Sequence, residues 1–193
     1  MRKLLLLLLL FGSFAAGAQV INIPDTNLKY LLVHHTNPVV DANNDGEISS
    51  LEAWRTTQLN IFGTQYTNRP VYNLTGLEQF VNIQALGLEW MGDSARLFNF
   101  SLLNTARVYG SNMLYINFQG CNKLETLTCG GALTTLDVSN LPKLRGLSCP
   151  ASFLDSINLG SADSLRSVVL SNNMFTHINL HNLPNLTSLT IEK

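Results

Sequence analysis

Between Asp41 and Glu52 the chain sets oxygen-bearing side chains at a spacing suited to gripping a cation. Asp41, Asn43 and Asp45 occupy the first, third and fifth places of a twelve-residue stretch, Gly46 the sixth, Ile48 the eighth, Ser49 the ninth and Glu52 the twelfth. Calcium is a hard ion that takes roughly six to eight oxygens, and a loop of this length can supply most of them. Gly46 permits the sharp central turn, Glu47 offers its backbone carbonyl, Ser49 acts through a water, and Glu52 chelates with both carboxylate oxygens. Asp41, Asp45 and Glu52 repel one another without metal, so the expected ion is structural and Ca2+ is the expected cofactor. The plain alternative is an Asx-rich surface turn of similar composition.

No other group of residues converges on chemistry. His34 and His35 are expected to close a helix. His177 and His181 stand four residues apart around an expected strand, about 13 Å at ~3.3 Å per residue, too far to share one metal. The serines lack a Gly-x-Ser-x-Gly elbow and a partnered His and Asp, and no glycine-rich loop could cradle a phosphate. The chain is therefore read as no enzyme. The sequons at Asn73, Asn99 and Asn185 are read as chance matches.

The ends and composition narrow the classes further. Met1-Arg2-Lys3, the apolar block Leu4 to Phe11 and the small residues Ala16-Gly17-Ala18 read as a secretory signal peptide cleaved after Ala18. The apolar run is too short for a membrane anchor. Losing Arg2 and Lys3 would take the formal charge from −1 to −3, which argues against nucleic acid as a partner. The protein is expected to be secreted or at the cell surface, and not membrane-spanning.

The elements that must position these residues come from a repeat. One series of triplets sets two apolar residues around an Asn or Asp: Leu59-Asn60-Ile61, Phe98-Asn99-Phe100, Ile116-Asn117-Phe118, Leu136-Asp137-Val138, Ile157-Asn158-Leu159 and Ile178-Asn179-Leu180. A second comprises Leu86-Gly87-Leu88, Ala106-Arg107-Val108, Leu127-Thr128-Cys129, Leu147-Ser148-Cys149, Val168-Val169-Leu170 and Leu189-Thr190-Ile191, at steps of 20 or 21 residues. Three residues before each of the second series stands Ile83, Leu103, Leu124, Leu144, Leu165 or Leu186. The resulting L-x-x-L-x-L/C pattern is the core of a leucine-rich repeat. Each triplet is a short strand with alternate residues inward, and stacked turns share a core. The expected fold is a short, right-handed, β-rich solenoid with parallel ladders over residues 59–193, behind a helical cap over 19–58. Cys121, Cys129 and Cys149 fall on inward positions and are expected to be buried free thiols. Pro142 and Pro184 are expected to stiffen corners that need no ladder bond.

In the cap, Pro24 is expected to open a helix with Leu28, Leu31 and Leu32 on one face, and Pro38 to break it. Ser49 and Glu52 also form a capping box, starting a helix from about Ser50 to Thr57 that carries Trp54. Since one loop stands alone, Ile48 needs another strand, such as Val20 to Ile23, or the first solenoid turn.

The register of Leu133-Thr134-Thr135-Leu136-Asp137-Val138-Ser139-Asn140 and Leu144-Arg145-Gly146-Leu147-Ser148-Cys149 resembles the internalin-like leucine-rich repeats of exported bacterial proteins. It is similar above all to the subgroup of about twenty-one residues per repeat in which Cys replaces one ladder leucine. Ile23-Pro24-Asp25-Thr26-Asn27-Leu28, the acidic loop and Leu59-Asn60-Ile61 look like the EF-hand-like cap that precedes such repeats. The resemblance implies a secreted, non-catalytic module that binds a protein or glycan. Two departures stand out. The asparagine expected three residues after each ladder Cys or Leu is present at Asn173 but is Ala132 and Ser152 in the turns before, which should be less regular. The last strand also lacks a polar cap, which suggests association through that turn, as a structural or adhesive surface component or as a fragment of a larger surface protein. The candidate partner face comprises the outward ladder residues Glu89, Arg107, Tyr109, Thr126, Thr128, Ser148 and Val169, continued by Ser171, Ser188 and Thr190. The Asn and Asp of the first series (Asn117, Asp137, Asn158, Asn179) are expected to stabilise stacked turns or face solvent.

Overall fold

The computed structural model describes residues 18–62, 71–89, 92, 94–97, 100–110, 112–181 and 183–192. The signal-peptide reading, on residues 1–18, falls almost wholly outside them, as do Phe98 and Asn99. The chain begins with α1 (Thr26–His34) and α2 (Ser50–Arg55). A coil follows, with strands β1 (Gln58–Phe62), β2 (Ala85–Glu89), β3 (Ser94–Arg96), β4 (Thr105–Gly110), β5 (Tyr115–Asn117) and β6 (Thr126–Gly131). It continues through β7 (Thr135–Asp137), β8 (Gly146–Ser148), β9 (Ser156–Asn158), β10 (Ser167–Val169) and β11 (Ser188–Thr190). The described chain is thus a parallel β-solenoid of leucine-rich repeats behind a small helical cap.

β1, β2, β4, β6, β8, β10 and β11 form one seven-stranded parallel sheet. Its register joins Leu59, Leu86, Ala106, Leu127, Leu147, Val168 and Leu189 in one row. Leu59-Asn60-Ile61 is therefore the first rung of this ladder, not of the Asn/Asp series. The 27-residue interval from Leu59 to Leu86 hid that, because it breaks the 20–21 step. Inward residues of the first six rungs are buried, as are Ile83, Leu103, Leu124, Leu144 and Leu165.

The Asn/Asp series makes two separate two-stranded ladders, β3 with β5 and β7 with β9. Ala95 and Arg96 pair with Ile116 and Asn117, so the rung before Ile116 is not Phe98-Asn99-Phe100. Phe100 instead takes the corner place of Cys121, its carbonyl accepting from Leu103 N–H as that of Cys121 accepts from Leu124. Ile178-Asn179-Leu180 does not form the expected strand. The side-chain oxygens of Asn117, Asp137, Asn158 and Asn179 each accept the N–H two residues on, at 2.8, 2.9, 3.2 and 3.0 Å. A short side-chain acceptor turns the chain at each such corner, which is why Asn or Asp recurs there. At the other corner, Leu144 and Leu186 N–H donate to the carbonyls of Leu141 and Leu183. Pro142 and Pro184 sit second in those four-residue turns, where a fixed φ suits the bend and no N–H is needed.

All three cysteines are buried and unbonded. Cys121 Sγ donates to Leu97 O at 3.1 Å. The thiol of Cys129 is held well above its ordinary pKa by its hydrogen bond with Cys149, and by burial.

Asn173 is the clearest case of a side chain stitching turns. Its amide nitrogen donates to Cys149 O at 2.8 Å and Leu170 O at 2.9 Å, and its oxygen accepts from Leu154 N–H at 3.1 Å. Ser152, one turn earlier, makes only a 3.3 Å bond from Gly131 N–H and a 3.7 Å contact with Cys149 Sγ, and Ala132 can make none. Because each unsatisfied buried polar group costs about 1–3 kcal/mol, Asn173→Ala should destabilise by about 2–4 kcal/mol in urea unfolding. Ser152→Ala should cost about 1 kcal/mol or less. Equal costs would contradict the stitching role.

Candidate metal loop and ladder face

The cap is built around Asp25. It caps α1 by accepting from Asn27 and Leu28 N–H at 2.9 and 3.0 Å, and its other oxygen accepts from Tyr72 and Asn73 N–H at 2.9 and 3.0 Å. One carboxylate thus fastens the helix start to a segment 47 residues on. Pro24 lies just outside the helix rather than opening it. Leu28, Leu31 and Leu32 face the core. The helix ends at His34, and Tyr30 packs against His34 and His35 with ring centroids 4.8 and 5.1 Å away.

The loop after α1 meets a second segment as its apolar eighth residue requires. Ile21 N–H donates to Ile48 O at 2.8 Å, Ser50 N–H to Gln19 O at 2.8 Å, and Val20 bridges Ser49 antiparallel. Within the loop, Asn44 (φ 57°) and Gly46 (φ 80°) are left-handed, the curvature that lets twelve residues wrap tightly. Asp41 is only 2% exposed and accepts from Asp45 and Gly46 N–H at 3.3 and 3.0 Å. Asn43 Oδ1 accepts from Asp45 N–H at 3.1 Å, and Asp45 Oδ1 from Glu47 N–H at 2.9 Å. Glu52 accepts from Ala42 N–H at 2.9 Å and from the N–H and hydroxyl of Ser49 at 2.8 Å each. That completes the capping box of α2. α2 ends at Arg55, two residues sooner than expected, because the β-branched Thr56 and Thr57 lead into β1. Trp54 is exposed on α2. The Glu47 side chain, not anticipated, pairs with Lys29 Nζ at 2.6 Å and ties the loop to α1.

Chemically the loop suits calcium: its donors are oxygens, and each carboxylate oxygen of Asp41 and Asp45 accepts one hydrogen bond and keeps lone-pair capacity beyond it. In this conformation the acids answer the loop's own amides. Among the described residues, no three His, Cys, Asp or Glu side chains converge tightly enough to hold a metal. Asp41, Asn43, Asp45, Glu47, Ser49 and Glu52 lie along one curved loop.

The candidate partner face is brought together on one side of the seven-stranded sheet. Arg107, Thr128, Ser148 and Val169 form one row, Glu89 and Tyr109 a second, and Thr126 a third with Thr105 and Gly146. At ~4.8 Å per strand the sheet spans about 29 Å. Tyr109 is half-buried and lies over Gly130, where an added Cβ would stand 3.0 Å from its ring carbons. Burial raises its phenol pKa, against the charge of Arg107. Sequence reasoning missed Gln58, Asn60 and Phe62, which extend the same face on β1.

No protein-family model matches the chain, and no curated protein does. Among solved structures it is similar to an internalin C2 from Listeria monocytogenes, at 19% identity and a TM-score of 0.39, over 91% of this chain and 98% of that one. It is also similar to an internalin F from the same organism, at 16% identity and a TM-score of 0.30, over 93% and 73%. Superpositions this loose carry no functional argument, and the solenoid assignment stands on the strand register above. Among the described residues no helix is long and apolar enough to cross a membrane.

Burial works to raise the pKa of Glu52, but the hydrogen bonds from Ser49, Ala42 and Asn43 outweigh it and hold the carboxyl below its usual range. The stability it contributes is present above the unfolded carboxyl pKa of about 4.3 and lost as pH falls through the lowered value. Melting temperatures should therefore fall on acidification below about pH 4, and less steeply for Glu52→Gln. An identical acid slope in the variant would contradict the assignment.

Proposed function

We propose that this protein is a secreted, non-catalytic binding module. The open face of its seven-stranded sheet recognises a protein or glycan, and a structural calcium ion in the EF-hand-like loop steadies the cap. The observation that carries the reading is the gathering of Glu89, Arg107 and Tyr109 on one outward face, among small hydroxyl side chains. Such a face offers an aromatic and a guanidinium anchor within an adaptable hydrogen-bonding surround, the usual chemistry of recognition. The leader-like start and the Cys-containing repeat are the features that favour export and the short-repeat, Cys-ladder subgroup.

Calcium is supported by the donor types and spacing of the loop and by its two left-handed residues. Binding would draw the acids off their internal amides and relieve their mutual repulsion. Millimolar calcium should raise the melting temperature of the wild type, and Asp41→Ala or Glu52→Ala should abolish the rise. A wild-type melt unchanged by chelator would overturn the calcium reading.

For the ladder face, proteins or glycans captured from the native extracellular medium by wild-type chain should be lost with Arg107→Glu and Tyr109→Ala. Interface anchors cost upward of about 2 kcal/mol when removed, roughly thirtyfold in affinity. Retained capture by both variants would move the site elsewhere. The alternative reading, a structural or adhesive component, draws on the last rung. Leu189 and Ile191 there are 43% and 38% exposed, whereas Val168 and Leu170 one turn earlier are fully buried. Sedimentation as a monomer at high concentration would count against it.

A further inference from the structure

A second candidate site lies on a different side of the coil. The two short ladders are not joined: β5 pairs with β3 and β7 with β9, while β5 and β7, on consecutive turns, share no ladder. Where they part, a cleft of about 560 Å³ opens between the two turns. Its walls carry Tyr115, Asn117, Asn122, Thr135, Asp137 and Asn140. Tyr115 is 45% exposed, and buried Phe118 and Leu141 supply apolar edges to the cleft.

The polar groups in this cleft are held in place yet not used up. Asn117 Oδ1 accepts from Gln119 N–H at 2.8 Å and its amide donates to Tyr115 Oη at 2.9 Å. That leaves one N–H and one lone pair unused. Asp137 Oδ1 accepts from Ser139 N–H and hydroxyl at 2.9 and 2.6 Å, and Oδ2 from Asn158 at 3.2 Å. Oδ2 therefore keeps acceptor capacity. The next turn's Asn158 reaches Asp137, but Asn117 does not, so no such link closes the cleft. Asn122, Thr135 and Asn140 are exposed.

We propose that this cleft between β5 and β7 binds a neutral oligosaccharide. Its lining mixes amides, a hydroxyl, a phenol and one carboxylate, and contains no Lys, Arg or His. Amides and carboxylates pair with vicinal hydroxyls as donor and acceptor together, and the tyrosine ring offers an apolar face for the sugar C–H surface. The lone carboxylate and absent cations disfavour phosphate, sulfate or an acidic sugar. An extended peptide would use the free strand edges instead of the side chains. This site is separate from the ladder face, so the two readings stand or fall independently.

The test uses the full chain without its leader. Saturation-transfer NMR is run against cellohexaose, maltohexaose and chitohexaose, with a sulfated heparin hexasaccharide and an uncharged hexapeptide as contrasts, and hits are titrated by calorimetry. At least one neutral hexasaccharide should bind, with Kd about 0.1–1 mM. Tyr115→Ala and the double variant Asn122→Ala/Asn140→Ala should each weaken it about tenfold or more. The melt should be unchanged for the double variant, whose side chains hold nothing internally. Arg107→Glu should leave the affinity as it was. The proposal is overturned if no neutral sugar binds, if the sulfated sugar or the peptide binds more tightly, if the cleft variants bind as wild type, or if Arg107→Glu abolishes binding.

Discussion

A strand of three residues cannot bury anything by itself. The inward pair on each rung of this coil, Leu127 and Cys129 or Leu147 and Cys149, is buried in one core shared with the rungs before and after it and with the corners of its own turn. Stacking in register is therefore the constraint from which the remaining structure follows. It demands a near-constant number of residues per turn, it fixes which residues face out, and it leaves every turn dependent on a neighbour.

The two edges of the sheet show what that dependence requires. At the front, β1 is covered by the cap. Thr36 bridges Ile61 antiparallel, Asn60 donates to Asn37 O at 3.3 Å, and the loop segment 48–50 is in turn held by residues 19–21. At β11 the same apolar pair that is buried in every earlier rung stands partly in solvent. Polar stitches repair irregular turns where apolar stacking does not suffice. Asn173 ties two turns through three short hydrogen bonds, and Asn117, Asp137, Asn158 and Asn179 each turn their own corner. Where such a link is missing, between Asn117 and Asp137, the coil opens into a cleft. Both proposed sites thus lie where the repeat presents or interrupts itself.

Much of this was legible because the period is a count and needs no propensity. The L-x-x-L-x-L/C register identified the buried residues, the outward face and the buried thiols. The capping box followed from the spacing of Ser49 and Glu52, and Val20 to Ile23 was one of the two partners the lone loop left open for Ile48. Three things were not legible. Leu59-Asn60-Ile61 carries the apolar-Asn-apolar signature of one ladder but pairs in the other, since only register in space separates them. Phe98-Asn99-Phe100 mimics the triplet three residues away from the rung that pairs. The two bonds by which Asp25 holds residues 72 and 73 join segments no local pattern relates. In the acidic loop, sequence gave donor types and order, whereas convergence on an ion depends on conformation.

The register itself is open to direct measurement by backbone NMR on residues 19–193. In-register parallel stacking places Leu59, Leu86, Ala106, Leu127, Leu147 and Val168 side by side on successive strands. Inter-strand proton contacts should therefore run sequentially along that row, each linking residues one repeat apart and Leu59 linking to Leu86. Contacts that pair these strands antiparallel, or that skip from one row to another, would contradict the stacked coil.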